Sequence, residues 1–212
     1  MRKKNDGTQS FVHIEGLEKS FGDHVLFQDF NMSIGRGEFV VFSGQSGCGK
    51  TTLLNMIGAL EPFDEGIIRV DGGDISQRKN RLRYFSDVVG FLFQNFALIE
   101  DKTVRKNLEI IKPKNRSQTS VEEALESVGL RSKLESKVYT LSGGEQQRVA
   151  LARLMVKKCQ LILADEPTGS LDRANAGMVM EILKGLNRMG KTVILVSHDP
   201  EIKKAGNRVI EL

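Results

Sequence analysis

Residues 44–52, Gly44-Gln45-Ser46-Gly47-Cys48-Gly49-Lys50-Thr51-Thr52, fit the pattern G-x-x-x-x-G-K-[ST]. Glycines at this spacing let a backbone curl until several N–H groups face one anion, while the lysine and threonine add a point charge and a hydroxyl. The chemistry such a loop serves is polyphosphate binding, with Lys50 reaching the β- and γ-phosphates and the Thr51 hydroxyl ligating Mg²⁺. Cys48 is a small residue that fits the loop, and its place near a helix N-terminus favours the thiolate. A second stretch, residues 141–172 (LSGGEQQRVALARLMVKKCQLILADEPTGSLD), holds two further features. Ser142 precedes Glu145 by three residues, the spacing of a capping box, and Gly143 and Gly144 occupy the first turn of the helix so opened. Each glycine costs about 1 kcal/mol there relative to alanine, yet a bare helix start lets an anion approach unpaired N–H groups. Further on, the apolar run 161–164 (LILA) ends in two adjacent carboxylates, Asp165 and Glu166, a costly pair unless a cation binds beside them. An anion-binding helix start and a metal-binding strand end are thus written into one stretch.

Residues 38–42 (EFVVF) read as a continuous apolar strand that runs into the phosphate loop, with a helix from Thr51 to about Gly58 behind it. This strand–loop–helix context is the one the motif requires. Three more apolar strands end in polar residues: 88–93 (VVGFLF) in Gln94, 161–164 in Asp165 and Glu166, and 191–196 in Ser197 and His198. Gln94 or His198 alone reads as a capping or core polar residue. Apolar strands joined by helices, however, build a parallel sheet buried on both faces, and its ligands bind beyond the carboxyl ends. On that ground the four strand ends are expected to meet at a single nucleotide site.

Other segments supply the frame. Residues 11–34 alternate apolar and polar around Gly22-Asp23, the pattern of two antiparallel strands, with Phe21 at the end of the first. Residues 66–76 read as a strand and a Gly-Gly turn, and 77–85 as a basic helix. Between Gln94 and Ser142 the character becomes helical. Thr103 opens one short helix, which breaks at 112–116 around Pro113, and Ser120 with Glu123 caps another whose inward face is Leu125 and Val128. Asp172 caps a helix to about Met189, with Gly190 just past its end, and a strand over 208–212 follows.

Composition narrows the partners. The 212 residues are 40% hydrophobic and 27% charged, ordinary values for a soluble domain, and the net charge of +4 is scattered rather than striped. A weakly basic, unstriped surface speaks for no nucleic-acid partner. Cys48 and Cys159 are the only cysteines, so no disulfide framework is implied and a reducing compartment fits. The start MRKKNDGTQS is basic with no apolar run behind it, and so is not expected to be a secretory signal. No apolar run approaches the roughly 18 residues of a membrane span, so work at a membrane requires a partner that supplies the spans.

In order along the chain, these motifs resemble the ATP-binding subunit of ABC transporters, over nearly its whole length. The matching parts are the phosphate loop 44–51, the Q-loop Gln94, the signature 141–145 and the acidic pair Asp165/Glu166. The D-loop Ser170-Leu171-Asp172 and the switch His198 complete them. The resemblance implies an α/β fold. Its parts are a P-loop ATPase core with a mainly parallel sheet, an N-terminal antiparallel β subdomain and an inserted α-helical subdomain. Residues 1–212 would form one ABC ATPase domain, with 1–94 and 141–212 as core plus β subdomain and 95–140 as the helical part. ATP and Mg²⁺ are the implied ligands.

By the same resemblance Asp165 helps hold Mg²⁺ together with Thr51 and Gln94, Glu166 polarises the attacking water, and His198 and Lys50 act on the γ-phosphate. Gln94 relays the nucleotide state to a permease. Phe21 stands where an aromatic, usually Tyr, stacks on adenine. Ser142, Gly143, Gly144 and Glu145 would bind the ATP held by another subunit, in a homodimer that forms on ATP binding, and Asp172 joins the ATP-binding set. The subunit would sit peripherally at the cytoplasmic face of a bacterial cell membrane, on an integral membrane permease.

ADEPTGSLD and GFLFQNFALIEDKTVRKNL further resemble the macrolide-exporter and lipoprotein-releasing branch, including its small bacteriocin-export members. That implies a few-span permease and export of a peptide, lipoprotein or drug. Phe96-Ala97-Leu98-Ile99 then stand where the permease's cytoplasmic helix docks, or else serve as subdomain core. Two alternatives stay beside this one: a soluble ABC-type ATPase not tied to transport, and an importer ATPase.

Overall fold

The computed structural model describes residues 10–169 and 171–212. All but the last residue of the N-terminal stretch MRKKNDGTQS, and Ser170 of the D-loop, lie outside the described residues.

Strands β1 (Ser10–Phe21) and β2 (His24–Gly35) pair antiparallel and turn at Gly22-Asp23, as the alternation predicts. The apolar strand β3 (Phe39–Ser43) enters the glycine loop, and α1 (Lys50–Ile57) leaves it. The chain then returns to the first sheet with β4 (Glu65–Val70) and the short β5 (Gly73–Asp74), giving the order β2-β1-β4-β5. The basic helix expected over 77–85 is shorter: α2 (Arg78–Arg83) passes into a π-helical turn, Tyr84–Val88, before β6 (Val89–Leu92). The wider turn points Tyr84 and Val88 both inward, and the Tyr84 hydroxyl donates to the Ile57 carbonyl at 2.6 Å, tying the turn to the end of α1.

Helices α3 (Val104–Glu109) and α4 (Val121–Ser127) follow, capped by Thr103 and by the Ser120/Glu123 box as their sequences indicate. Helix α5 (Gly143–Val156) leads to β7 (Leu161–Asp165), then α6 (Arg173–Arg188), β8 (Thr192–Val196), α7 (Pro200–Lys203) and β9 (Arg208–Glu211). The four-residue α7 is too short to leave a periodic signal. It rests on Asp199, which caps it, and on Pro200 in its first turn.

The second sheet has the order β6-β7-β8-β3-β9, with every pairing parallel. Strand residues alternate between two cores. Phe39, Val41, Ile162, Ala164, Val193 and Leu195 face one that includes Leu108, Leu125, Leu151 and Leu183. Val40, Phe42, Leu161, Leu163, Ile194 and Val196 face the other, shared with Leu53, Ile57 and the inner face of the antiparallel sheet. A strand wetted on neither face has no reason to alternate polar with apolar, so its sequence is a continuous apolar run. The first core joins α5 to α3 and α4 without a break, so the helix after the glycine pair packs with the helical segment.

Candidate functional site

The phosphate loop lies between β3 and α1. Gly49 is the N-cap of α1, with φ +98° and no side-chain cap. A Cβ on Gly49 would stand 2.7 Å from the ring of Phe27, so both its dihedral and its space admit only glycine. The α1 start therefore keeps free N–H groups, the usual seat of a phosphate. Lys50 Nζ donates to the carbonyls of Gly44 at 3.0 Å and Gln45 at 2.6 Å, and lies 3.6 Å from Cys48 Sγ. The ammonium thus waits at the loop mouth on backbone acceptors that an anion can replace.

Beyond the carboxyl ends of β7 and β8, the chain brings Glu166 and His198 to the same place. A cleft of about 430 Å³ is lined by Gly44, Ser46, Gly47, Gly49, Lys50, Thr51 and Thr52 on one side and Glu166 and His198 on the other. His198 Nδ1 lies 2.9 Å from Glu166 Oε1. Glu166 has φ +43°, left-handed for a residue with a side chain, and its N–H donates to the Val196 carbonyl at 3.1 Å. The left-handed backbone that carries this carboxylate is held in place by the neighbouring strand, an arrangement found at functional sites.

The Thr51 hydroxyl donates to Asp165 Oδ1 at 3.1 Å. Burial raises the Asp165 carboxyl above its ordinary pKa; the Thr51 bond opposes this, Glu166 adds to it, and Lys50 opposes it. Gln94 lines an adjoining cavity with Asp165 and Asn95. A hydroxyl, a carboxylate short of positive charge and an amide, all hard oxygen donors, suit Mg²⁺, which is usually held through one or two carboxylates and completes its shell with water and phosphate.

The signature residues do not line this cleft. Ser142 accepts from the Glu145 N–H at 3.3 Å and donates its own N–H to Glu145 Oε2 at 2.8 Å, so the predicted capping box is present. Ser142 and Gly143 are exposed, with open space around Gly143. Gly144 differs, since a Cβ there would stand 3.2 Å from Asn175 Nδ2. Asn175 in turn bonds Asp172 Oδ2 at 2.6 Å and accepts from Arg148, so Asp172 is joined to the signature helix by its own α6. Phe21 also stands outside the cleft, at the hairpin end, 51% exposed.

Arg153 is a residue the sequence reading passed over. Its guanidinium donates to the carbonyls of Ala97 at 2.6 Å and Phe96 at 2.9 Å. Both residues are left-handed, with φ +46° and +61°. Arg153 therefore clamps the turn after Gln94 to the helix that begins with the signature. The available signal was an arginine in phase with the partly buried side of α5. Phe96 and Leu98 pack on the core, while Ile99 is 43% exposed.

A glycine phosphate loop, a hydroxyl–carboxylate pair and a Glu–His pair on the carboxyl edge of a parallel sheet define a P-loop nucleotide-binding protein. The chain belongs to the ABC transporter family, whose model matches residues 27–169. It is similar to the macrolide export ATP-binding/permease protein MacB of Campylobacter jejuni, 38% identical over 208 residues that make up 95% of this chain and 32% of that one. The MacB of Aggregatibacter actinomycetemcomitans is 39% identical over 217 residues, 96% of this chain and 33% of that one. The chain thus spans about a third of the length of these curated relatives. Among solved structures, the dimeric bacterial ABC transporter cassette MJ0796 superposes with a TM-score of 0.84 at 35% identity, covering 95% of this chain and 94% of that one. A dimeric post-hydrolysis state of MJ0796 bound to ADP and Pi matches with a TM-score of 0.82 at 34% identity, with the same coverage.

Proposed function

We propose that this chain is the ATP-binding subunit of an ABC exporter: it binds ATP, closes as a homodimer, hydrolyses the nucleotide and so drives a separate integral membrane permease. The observation that carries this reading is the convergence of Lys50, Thr51, Glu166 and His198 on one cleft, with Asp165 bonded to Thr51 beside it, while Ser142 and Gly143 of the signature stand exposed elsewhere. A site that one chain leaves open on the γ-phosphate side is completed by a second copy, whose helix start offers the Gly143 and Gly144 N–H groups that the Ser142/Glu145 capping box leaves free. ATP then acts as a ligand that stabilises the closed pair.

In the bound state Lys50 moves from the Gly44 and Gln45 carbonyls to the phosphates. The residues that would hold Mg²⁺ are Thr51, Asp165 and Gln94, and the ion would neutralise charge on the phosphate oxygens. Glu166 accepts a hydrogen bond from the attacking water, and His198, 2.9 Å from it, stands ready to turn toward the γ-phosphate. Catalysis is positioning and electrostatics with no covalent intermediate. Phe21 stacks on the base, and Asp172 holds the signature helix through Asn175.

Residues 95–140 form the helical subdomain between the core segments 1–94 and 141–212, and the exposed Ala97 and Ile99 of the 96–99 stretch face the permease. Among the described residues no helix is long and apolar enough to cross a membrane. We place the subunit peripherally at the cytoplasmic face of a bacterial membrane, on the permease it drives. Its similarity to MacB, a macrolide export protein, favours export, with a drug, peptide or lipoprotein as the proposed cargo.

The test is Glu166→Gln. A general base contributes roughly 10²–10⁴-fold, so turnover should fall by at least about 100-fold while ATP binding persists and an ATP-dependent dimer accumulates on size-exclusion chromatography. Unchanged turnover removes Glu166 from its role. A pull-down of the same variant from bacterial membranes should recover a few-span permease; a many-span permease with a solute-binding protein would point to import.

A further inference from the structure

Among the described residues, Lys19 is the only charged residue that is buried, 5% exposed near the end of β1. Its phase explains why it is inside: it follows Leu17 by two residues on the inward face of the strand. An ammonium has three donors and no acceptor, and three partners surround this one. Nζ donates to Glu61 Oε1 at 2.7 Å and to the Pro62 carbonyl at 2.9 Å, and it stands 4.5 Å from the centroid of the Phe21 ring. A desolvated cation over a ring face is held by the ring quadrupole. Phe21 is nonetheless 51% exposed, so one face is covered by Lys19 while surface elsewhere on the ring stays open.

The same corner is tied to the phosphate loop. Residues Glu61 and Asp64 follow α1, the helix that starts at Lys50. Asp64 accepts from the Ser20 N–H at 2.7 Å and donates its own N–H to the Glu18 carbonyl at 2.9 Å. Across the hairpin, Lys19 is paired in register with Phe27, whose ring touches the space beside Gly49. The strand end that carries Phe21 is therefore braced against both ends of the loop–helix unit that holds the phosphates.

We propose that Lys19 is the positioning residue of the base platform: it fixes the plane of Phe21 so that the purine of the nucleotide meets a ring already set at the right distance from the phosphate loop. This deepens the proposed function and rests on its reading of Phe21 as the stacking ring. Without the ammonium, the Phe21 side chain would be free to turn and would have to be ordered by each incoming nucleotide.

The probes are ATP and tripolyphosphate, which offers phosphates without a base, each titrated against the full chain with Mg²⁺. Lys19→Met keeps the apolar stem and removes the charge. It should weaken ATP roughly three- to tenfold and leave tripolyphosphate unchanged. Phe21→Ala should weaken ATP at least as much, and the double variant no more than Phe21→Ala alone, since Lys19 acts only through the ring. Equal weakening of ATP and tripolyphosphate in Lys19→Met would overturn the proposal by assigning Lys19 to the fold in general. So would unchanged ATP affinity in Lys19→Met when Phe21→Ala is impaired, and in that case base stacking stands. Unchanged ATP affinity in Phe21→Ala overturns the stacking reading itself. Should Lys19→Met not fold, Glu61→Gln loosens the anchor of the ammonium and is read by the same pair of titrations.

Discussion

Replacing Arg153 by methionine removes two charge-assisted hydrogen bonds and keeps an unbranched stem in the same space. The bonds at 2.6 and 2.9 Å hold the carbonyls of Ala97 and Phe96, both left-handed. Hydrogen bonds to charged groups contribute about 1.5–3 kcal/mol each, and the left-handed conformation costs about 1–2 kcal/mol per residue with a Cβ. Losing both bonds forfeits about 3–6 kcal/mol and the released turn recovers about 2–4 by relaxing, so the midpoints leave a net loss of about 1.5 kcal/mol. For a chain of this size that lowers the melting temperature by about 3–6 °C. Amides of residues 95–99 should also exchange faster with solvent. Ala97 is exposed, so Ala97→Gly removes strain without removing packing. Relief of about 1–2 kcal/mol, against about 0.5–1 of added chain entropy, should stabilise the parent chain slightly. In the Arg153→Met background the turn has already relaxed, and the same change should gain less. A destabilising Ala97→Gly, or strictly additive effects of the two substitutions, would refute the clamp.

Further outcomes follow from the site. Cys48 Sγ lies 3.6 Å from Lys50 Nζ and would be 2.8 Å from a Cβ on Gly44, so the loop has no room for an adduct. Alkylation by N-ethylmaleimide should abolish nucleotide binding, with protection by ATP and resistance in Cys48→Ser. Burial raises the Cys159 thiol, which makes it the slower site, and inhibition undiminished in Cys48→Ser would refute the assignment. The Glu145 carboxyl is held below its ordinary pKa, chiefly by the hydrogen bond it accepts from the Ser142 N–H. A depressed folded value means that its contribution is present above the ordinary carboxylate pKa of about 4.3 and lost as pH falls through the lower one. Glu145→Gln should therefore flatten part of the acid limb of a stability-against-pH curve, and an identical curve would show that the capping box is not formed.

Much of this protein was legible in the sequence because the informative features are local. A glycine loop between an apolar strand and a helix, a Ser–Glu box at three-residue spacing and apolar runs ending in carboxylates all depend on a few successive residues. The parallel sheet followed because strands buried on both faces cannot alternate polar with apolar. Even the helix caps at Thr103, Ser120, Ser142 and Asp172 stand where the spacing places them. Other features needed contacts between residues far apart in the chain. The π-helical turn at Tyr84–Val88 exists because a tyrosine hydroxyl reaches the end of α1, 27 residues back. Arg153 became part of the site only when the fold carried α5 alongside the turn after Gln94, 57 positions away. Lys19 found its two hydrogen-bond acceptors, Glu61 and the Pro62 carbonyl, only when the segment after α1 returned to β1. Local spacing determined which chemistry the chain carries; tertiary packing alone decided which buried charges hold that chemistry in position.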